Sequence, residues 1–197
     1  TKIEILISDN ASTDKTAQIV AKYLKKHANI FAYFQNEENL KYDKNVDLTV
    51  QRAKGEYVWL LGCGETLKPG ILKIILGKLA QDYYDNVLLN FEIYSEELEK
   101  IETENNFKIN RDLVFTSKED YFCQMKFGNT PISANIVNRK AWTSVQKRAL
   151  LVAGWAHFER ILMLMARPGY RKTFYLHNIC FTLQREKDGW WNKEGLF

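Results

Sequence analysis

Two apolar runs end in polar loops whose side chains are suited to chemistry. Residues 3–8 pass into Asp9-Asn10-Ala11-Ser12-Thr13-Asp14, dense in carboxylate, amide and hydroxyl groups that suit a sugar or nucleotide. Residues 57–61 pass into Gly62-Cys63-Gly64-Glu65, which offers a carboxylate where a phosphate-bound metal would need one. In α/β proteins with parallel strands, ligands sit beyond the carboxyl ends of the strands, so two such endings are a natural place for one shared site. Farther along, His157 and Glu159 are the candidates for a general base, the imidazole because its ordinary pKa of about 6.5 lies near working pH. Residues two apart on a helix point to different faces, so one of the pair is expected to reach a substrate. Asp120 is a weaker candidate, because nothing ties its helix to the site. Trp190 and Trp191, with Arg185 nearby, fall in a polar C-terminal stretch. Aromatic faces stack on sugar rings or sit among lipid headgroups, and a basic side chain beside them suits a pyrophosphate-linked acceptor; one Trp could equally cover the core edge.

The elements that must position these residues alternate as they do in parallel-sheet proteins. Strands are expected at 3–8, 30–34, 57–61, 87–94, 132–138 and 172–183. A helix opens at Ser12-Thr13-Asp14, where short polar side chains accept unpaired N–H groups, and closes on Lys25-Lys26-His27, whose positive charge suits a helix C-terminus. Further helices are expected over 43–53, from Pro69-Gly70 to about Asp82, over 117–126, around 140–150 and over 156–166. The Glu- and Asn-rich stretch 95–112 reads as an exposed connection. Ser12 and Asp14 suit helix capping as well as ligand binding, and Asn45 suits an exposed helix face as well as a place near a donor.

A chain of 197 residues with 46% apolar content can close one substantial core, and a single domain is expected over 1–197. A net charge of +4 with interspersed signs argues against a nucleic-acid binder. Cys63, Cys123 and Cys180 are far apart and form no CxxC pair, so neither a disulfide framework nor a zinc knuckle is expected, and a reducing, cytoplasmic setting fits. No apolar stretch approaches the length of a membrane span.

Residues 4–16, followed by Ala53-Lys54-Gly55-Glu56-Tyr57-Val58-Trp59-Leu60-Leu61-Gly62 and Leu67-Lys68-Pro69-Gly70, resemble family 2 glycosyltransferases of the GT-A fold. The second half, including residues 132–139 and 155–164, is similar to the bacterial surface-polysaccharide branch of that family. The resemblance implies a Rossmann-like, mostly parallel sheet flanked by helices, with residues 1–94 as the nucleotide-sugar half and 95–197 as the acceptor half. It implies inverting transfer of a sugar from a nucleotide-diphosphate donor to a hydroxyl of a glycan or lipid-linked acceptor. Asp9 aligns with the acidic residue that meets the nucleoside; Asn10, Ser12 and Asp14 shape that loop, and Asn45 falls near the donor. The family often holds Mn2+ or Mg2+ through an Asp-x-Asp motif, and here only Glu65 remains of it. Magnesium is often held by one or two carboxylates plus water and phosphate oxygens, so Glu65 is the candidate metal ligand.

The family also carries a further strand and helix before the first motif, the strand central in its sheet. Their absence here implies upstream residues or a substitute segment, because a missing central strand leaves its neighbours' hydrogen-bonding groups without partners. The implied setting is bacterial and cytoplasmic, with peripheral contact at the inner membrane. The competing reading is a catalytically degenerate GT-A-like domain that binds a nucleotide or glycan, since two expected acids are gone. A nucleotidyltransferase is disfavoured, because no glycine-rich basic loop opens the chain.

Overall fold

Strands β1 (Ile5–Asp9) and β2 (Phe31–Gln35) run parallel, joined by helix α1 (Thr16–His27) in a crossover. Their register pairs Ile5 with Phe31 and Asp9 with Gln35, so both strands end at the same level. In this computed structural model the described residues are 3–94, 101–103, 107–126, 128, 130–145 and 154–184. They fall into two units, Thr1–Val58 with Asn138–Leu164, and Trp59–Val137 with Met165–Phe197.

The first unit holds β1, α1 and β2, then helix α2 (Lys41–Arg52), which buries Val46 and Val50. Its later part contains helix α5 (Arg139–Ser144) and helix α6 (Ala156–Ala166) up to Leu164. Asn138 caps α5 by accepting a bond from Ala141 N at 3.1 Å, and Arg139 ties that helix back to the chain before β3 by donating from Nε to Gly55 O at 2.8 Å.

The second unit is built on a sheet in the order β3-β8-β5-β9-β4, with β6 added on β5 and β7 on β9. These strands are β3 (Tyr57–Trp59), β4 (Thr66–Leu67), β5 (Asn86–Tyr94), β6 (Ile101–Thr103), β7 (Leu113–Phe115), β8 (Asn135–Asn138) and β9 (Thr173–Gln184). β5 and β9 pair in parallel along their length, while the β4, β6, β7 and β8 pairings are antiparallel, so the sheet is mixed. Val87, Leu88, Leu89 and Phe91 of β5 and Phe174, Leu176 and Phe181 of β9 are buried. Full burial of such a side chain is worth about 1.5–3 kcal/mol, and this pair of strands is the core of the unit. Helix α3 (Ile71–Gln81) buries Ile71 and Ile75, and helix α4 (Lys118–Met125) buries Tyr121 and Met125. Buried Asp85 accepts bonds from Tyr83 Oη, Arg167 and Arg171 N, clasping the start of β5 to the loop before β9.

Several sequence expectations are corrected. The helix expected from Ser12 starts at Thr16 with Lys15 at its cap position; Asp14 still takes two first-turn bonds, from Thr16 N at 2.9 Å and Thr16 Oγ1 at 2.5 Å. The strand expected over 57–61 ends at Trp59, and the helix expected from Pro69 begins at Ile71, because Gly70 turns into it at φ 77°, a left-handed conformation that glycine adopts without penalty. Residues 132–134 form a 3-10 turn before β8. The helix expected around 140–150 stops at Ser144, where Val145 is extended at ψ 126°. The stretch read as an exposed connection contains β6, which pairs antiparallel with β5. β4 and β7 were not expected, since segments of two and three residues carry too little periodicity to be seen.

Candidate functional site

The carboxyl ends of β1 and β2 gather a cluster of polar side chains. Asp9 is 4% exposed; its Oδ1 accepts from Ser12 N at 2.7 Å and its Oδ2 from Tyr33 Oη at 2.5 Å. Burial opposes the charge, but the bonds from Ser12 and Tyr33 outweigh it and hold the Asp9 carboxyl below its ordinary value. The same bond pushes the Tyr33 hydroxyl up to about 12. An ionised, fixed carboxylate therefore stands at the strand ends, where the sequence places the nucleoside-facing acid.

Asn10 acts as a clip between loops. Its Oδ1 accepts from Leu40 N at 2.9 Å and Asn36 Nδ2 at 3.1 Å, and its Nδ2 donates to Asn39 Oδ1 at 2.9 Å and Lys41 O at 3.3 Å. Behind it, Asn45 Oδ1 accepts from Ser8 Oγ at 2.8 Å and Asn36 Nδ2 at 3.0 Å. Arg52 reaches Asn36 Oδ1 at 3.3 Å and lies over the Phe34 ring at 4.7 Å. Asn45 is thus half-buried within the cluster and not on an open helix face. Ala11 and Lys41 flank the clip with φ of 64° and 63°, a conformation that side-chain-bearing residues keep only where their surroundings over-determine it. Ser12 contributes its backbone N–H, with its side chain exposed, and Asp14 serves the α1 start.

α2 extends this cluster to α6. Asp43 Oδ2 accepts from Gly154 N at 2.8 Å and its Oδ1 from Ala156 N at 3.0 Å, so a carboxylate from a distant helix holds N–H groups at the start of α6. Asp47 receives Arg160 at 2.8 and 3.1 Å, and the same guanidinium lies 5.2 Å over Trp142. His157, buried at 6% exposure, has Nδ1 2.7 Å from Tyr42 Oη and stacks against Trp155 at 6.4 Å. Glu159 Oε2 is buried without a hydrogen-bond partner among the described residues. A depression of about 320 Å³ lies at the start of α2, lined by Glu38, Asn39, Leu40, Lys41, Asp43 and Lys44.

In the second unit, the 62–65 loop is secured by Gly62 N donating to Ser133 Oγ at 3.1 Å and by Trp59 Nε1 donating to Ser133 O at 2.8 Å. The Glu65 carboxylate folds back over Gly62, its oxygens 2.5 and 2.8 Å from where a Cβ would stand. Cys63 is exposed. Among the described residues no group of three His, Cys, Asp or Glu side chains is placed to hold a metal. The one hard oxygen donor fits a magnesium or manganese ion whose other positions come from phosphate oxygens and water. Asp120 lies in the first turn of α4, its N–H donating to Ser117 Oγ at 3.1 Å. Arg185, Trp190 and Trp191 lie outside the described residues.

The first unit thus brings Asp9, Asn10, Asn45 and His157 into one bonded framework. Tyr33, Asn36, Tyr42, Asp43 and Arg52 were missed from the sequence. Asn36 carried a usable signal, since it follows β2 as Asn10 follows β1; the others became visible only through tertiary contacts.

This is the fold of the GT-A nucleotide-sugar transferases. The Staphylococcus aureus TarS 1–349 structure in complex with UDP superimposes with a TM-score of 0.70 at 15% identity, covering 96% of this chain and 53% of that one. A crystal structure of GalNAc-T7 with UDP, GalNAc and Mn2+ gives 0.68 at 12% identity, covering 95% and 38%. The chain belongs to glycosyl transferase family 2, whose family model matches residues 1–143. Abequosyltransferase RfbV of Salmonella typhimurium is 36% identical over 84 residues, which are 43% of this chain and 24% of that protein. The chain therefore spans about a quarter of that curated relative and about half of TarS 1–349.

Proposed function

We propose that the chain is the core of an inverting glycosyltransferase that moves a sugar from a nucleotide-diphosphate donor to a hydroxyl of a glycan or lipid-linked acceptor in bacterial surface-polysaccharide synthesis. Residues 1–94 serve the donor and 95–197 the acceptor, within one GT-A-like domain. The observation that carries this reading is the ionised Asp9 at the ends of two parallel strands, in a framework that also fixes His157. Support for a nucleotide-sugar donor comes from TarS, solved with UDP and with UDP-GlcNAc. Support for transfer of a sugar comes from the abequosyltransferase RfbV.

Asp9 accepts bonds from the base or ribose, and the Asn10, Ser12 and Asp14 loop shapes that pocket with Asn45 behind it. His157 takes the proton of the acceptor hydroxyl as its oxygen attacks the anomeric carbon. The bond to the diphosphate breaks on the opposite face, and the configuration inverts. Glu159 is the competing base, its unpartnered Oε2 being the observation in its favour. Glu65 would hold a divalent cation, which supplies charge neutralisation of the diphosphate. Arg185, Trp190 and Trp191 meet the acceptor or a membrane surface, at the cytoplasmic face of the inner membrane. Among the described residues no helix is long and apolar enough to cross a membrane.

Nucleotide release from a panel of UDP-, GDP- and dTDP-sugars, with and without manganese, tests this. Release that falls in His157→Ala and Glu65→Ala is expected, and activity untouched by both rejects the assignment. Nucleotide binding without turnover on any donor would favour the degenerate domain, which the loss of the Asp-x-Asp acids suggests.

A further inference from the structure

Between Asp14 and Glu37 the chain carries Lys15, Lys22, Lys25 and Lys26 and no acidic residue. These four lysines equal the whole net charge of +4, so basic and acidic residues balance over the rest of the chain. The dipole of α1 favours cations in its last turn, which accounts for Lys25 and Lys26. It opposes a cation at the cap position, where Lys15 stands, and has no bearing on Lys22 in the middle of the helix. Spacings of three and four residues place Lys15, Ile19, Lys22, Tyr23 and Lys26 on one face, away from buried Val20. All five are exposed, Ile19 at 52% and Tyr23 at 53%. The Tyr23 ring stacks on Phe31 at 6.1 Å and 28°, so it is held in place without being covered. Single exposed apolar residues are ordinary, but here two stand one turn apart among lysines with no acid between them.

We propose that this face of α1 is a membrane-contact surface that docks on a bilayer of anionic phospholipid, the lysines among the phosphate headgroups and Ile19 and Tyr23 at the boundary with the acyl chains. The argument is charge complementarity joined to the two apolar side chains. Lysine is a strongly hydrated point charge on a flexible stem, which suits a diffuse layer of headgroups; the segment has no arginine, the residue whose planar fork recognises nucleic acid. Aliphatic and phenolic side chains gain at the headgroup boundary. The inference rests on the reading that the protein works at the inner membrane face, and it names a surface that makes the contact.

The test is co-sedimentation of the full chain with vesicles of equal parts phosphatidylglycerol and phosphatidylcholine, and with vesicles of phosphatidylcholine alone. Binding to the anionic vesicles, weakened by salt and absent on the neutral ones, is expected. Each lysine near an anionic surface is worth about fivefold, so Lys15→Gln with Lys22→Gln should weaken binding about 25-fold and leave the last turn of α1 intact. Ile19→Gln with Tyr23→Gln should weaken it about tenfold without changing the salt dependence. Circular dichroism checks the fold of each variant, and Ile19→Gln alone, which keeps the Tyr23 stacking, serves if the double variant unfolds. Sedimentation is read without donor or turnover, so failure of docking and failure of glycosyl transfer are seen separately. Nucleotide release from soluble donors should be unchanged in all these variants. No binding, or equal binding to neutral vesicles, overturns the proposal. So does anionic binding that survives the lysine substitutions and is lost in Trp190→Ala with Trp191→Ala, which would move the membrane contact to the C-terminal stretch. Equally tight binding to single-stranded RNA that is indifferent to Ile19→Gln would make the face a nucleic-acid surface instead.

Discussion

The loop after β1 and the loop after β3 follow the same sequence logic, an apolar strand breaking into polar residues, yet the protein builds them differently. The first is gripped through its side chains: Asp9 by the Tyr33 hydroxyl and the Ser12 N–H, and Asn10 by the Asn36 and Asn39 side chains and the Leu40 N–H. The second is tied through Ser133 to Gly62 and Trp59, with its carboxylate laid over a glycine. A polar cluster in which donors and acceptors pair with one another has its geometry set by the fold itself. The Glu65 carboxylate instead lies back over the glycine of its own loop. The difference teaches that the first loop has its side-chain geometry fixed by bonds within its own cluster, whereas the second is held by ties to Ser133.

The sharpest way to break that comparison lies on α6. His157→Ala should lower turnover by about 100- to 10,000-fold, the range of a lost general base, with little change in donor KM; stopped-time nucleotide release measures it, and a pure KM effect would move His157 from chemistry to binding. Asp9→Ala should destabilise the protein by about 1.5–3 kcal/mol, because two bonds to a charged group are lost, and urea unfolding reads it. Since the Asp9 carboxyl is held below 3.8 in the folded state, its contribution is present above that value and fades as the pH falls through its folded pKa. The difference between wild type and Asp9→Ala should therefore shrink in acid. Tyr33 titrates the other way, and its raised pKa of about 12 should drop towards 10.0 in Asp9→Asn, followed by tyrosinate absorbance against a Tyr33→Phe blank.

Two smaller effects sharpen the contrast. Glu65→Gln should cost about tenfold in manganese-supported turnover, comparable to one charge-assisted contact, and leave unfolding in metal-free buffer unchanged. An equal loss with and without manganese would make Glu65 structural. Asp43→Ala should cost about 1 kcal/mol, the scale of a lost helix cap, and lower the thermal midpoint without moving donor KM.

Much of the fold was legible in the chain because its long elements carry their own period. α6 was placed at 156–166, and β5 was located to within one residue at its start, since apolar residues recur there at helical spacing or in an unbroken run. Short elements failed for the same reason: β4 and β7 pair only because β9 offers them an edge. In the candidate site, Asp9 and Asn10 stood out as polar residues at a strand ending, and Asn45 through the resemblance to the family motif. Tyr42 and Asp43 gave no such sign, being ordinary residues of a polar helix start.

By itself the sequence determined the family, the alternation of strands and helices, and the two polar loops, because local propensity and hydrophobic period are written residue by residue. Only the tertiary structure decided that Asn45 faces inward, that Asp43 secures a helix 111 residues away, and that Tyr42 meets His157 across a separation of 115. Those pairings depend on where packed helices bring distant side chains, and no local pattern encodes a distance between residues that meet only after folding.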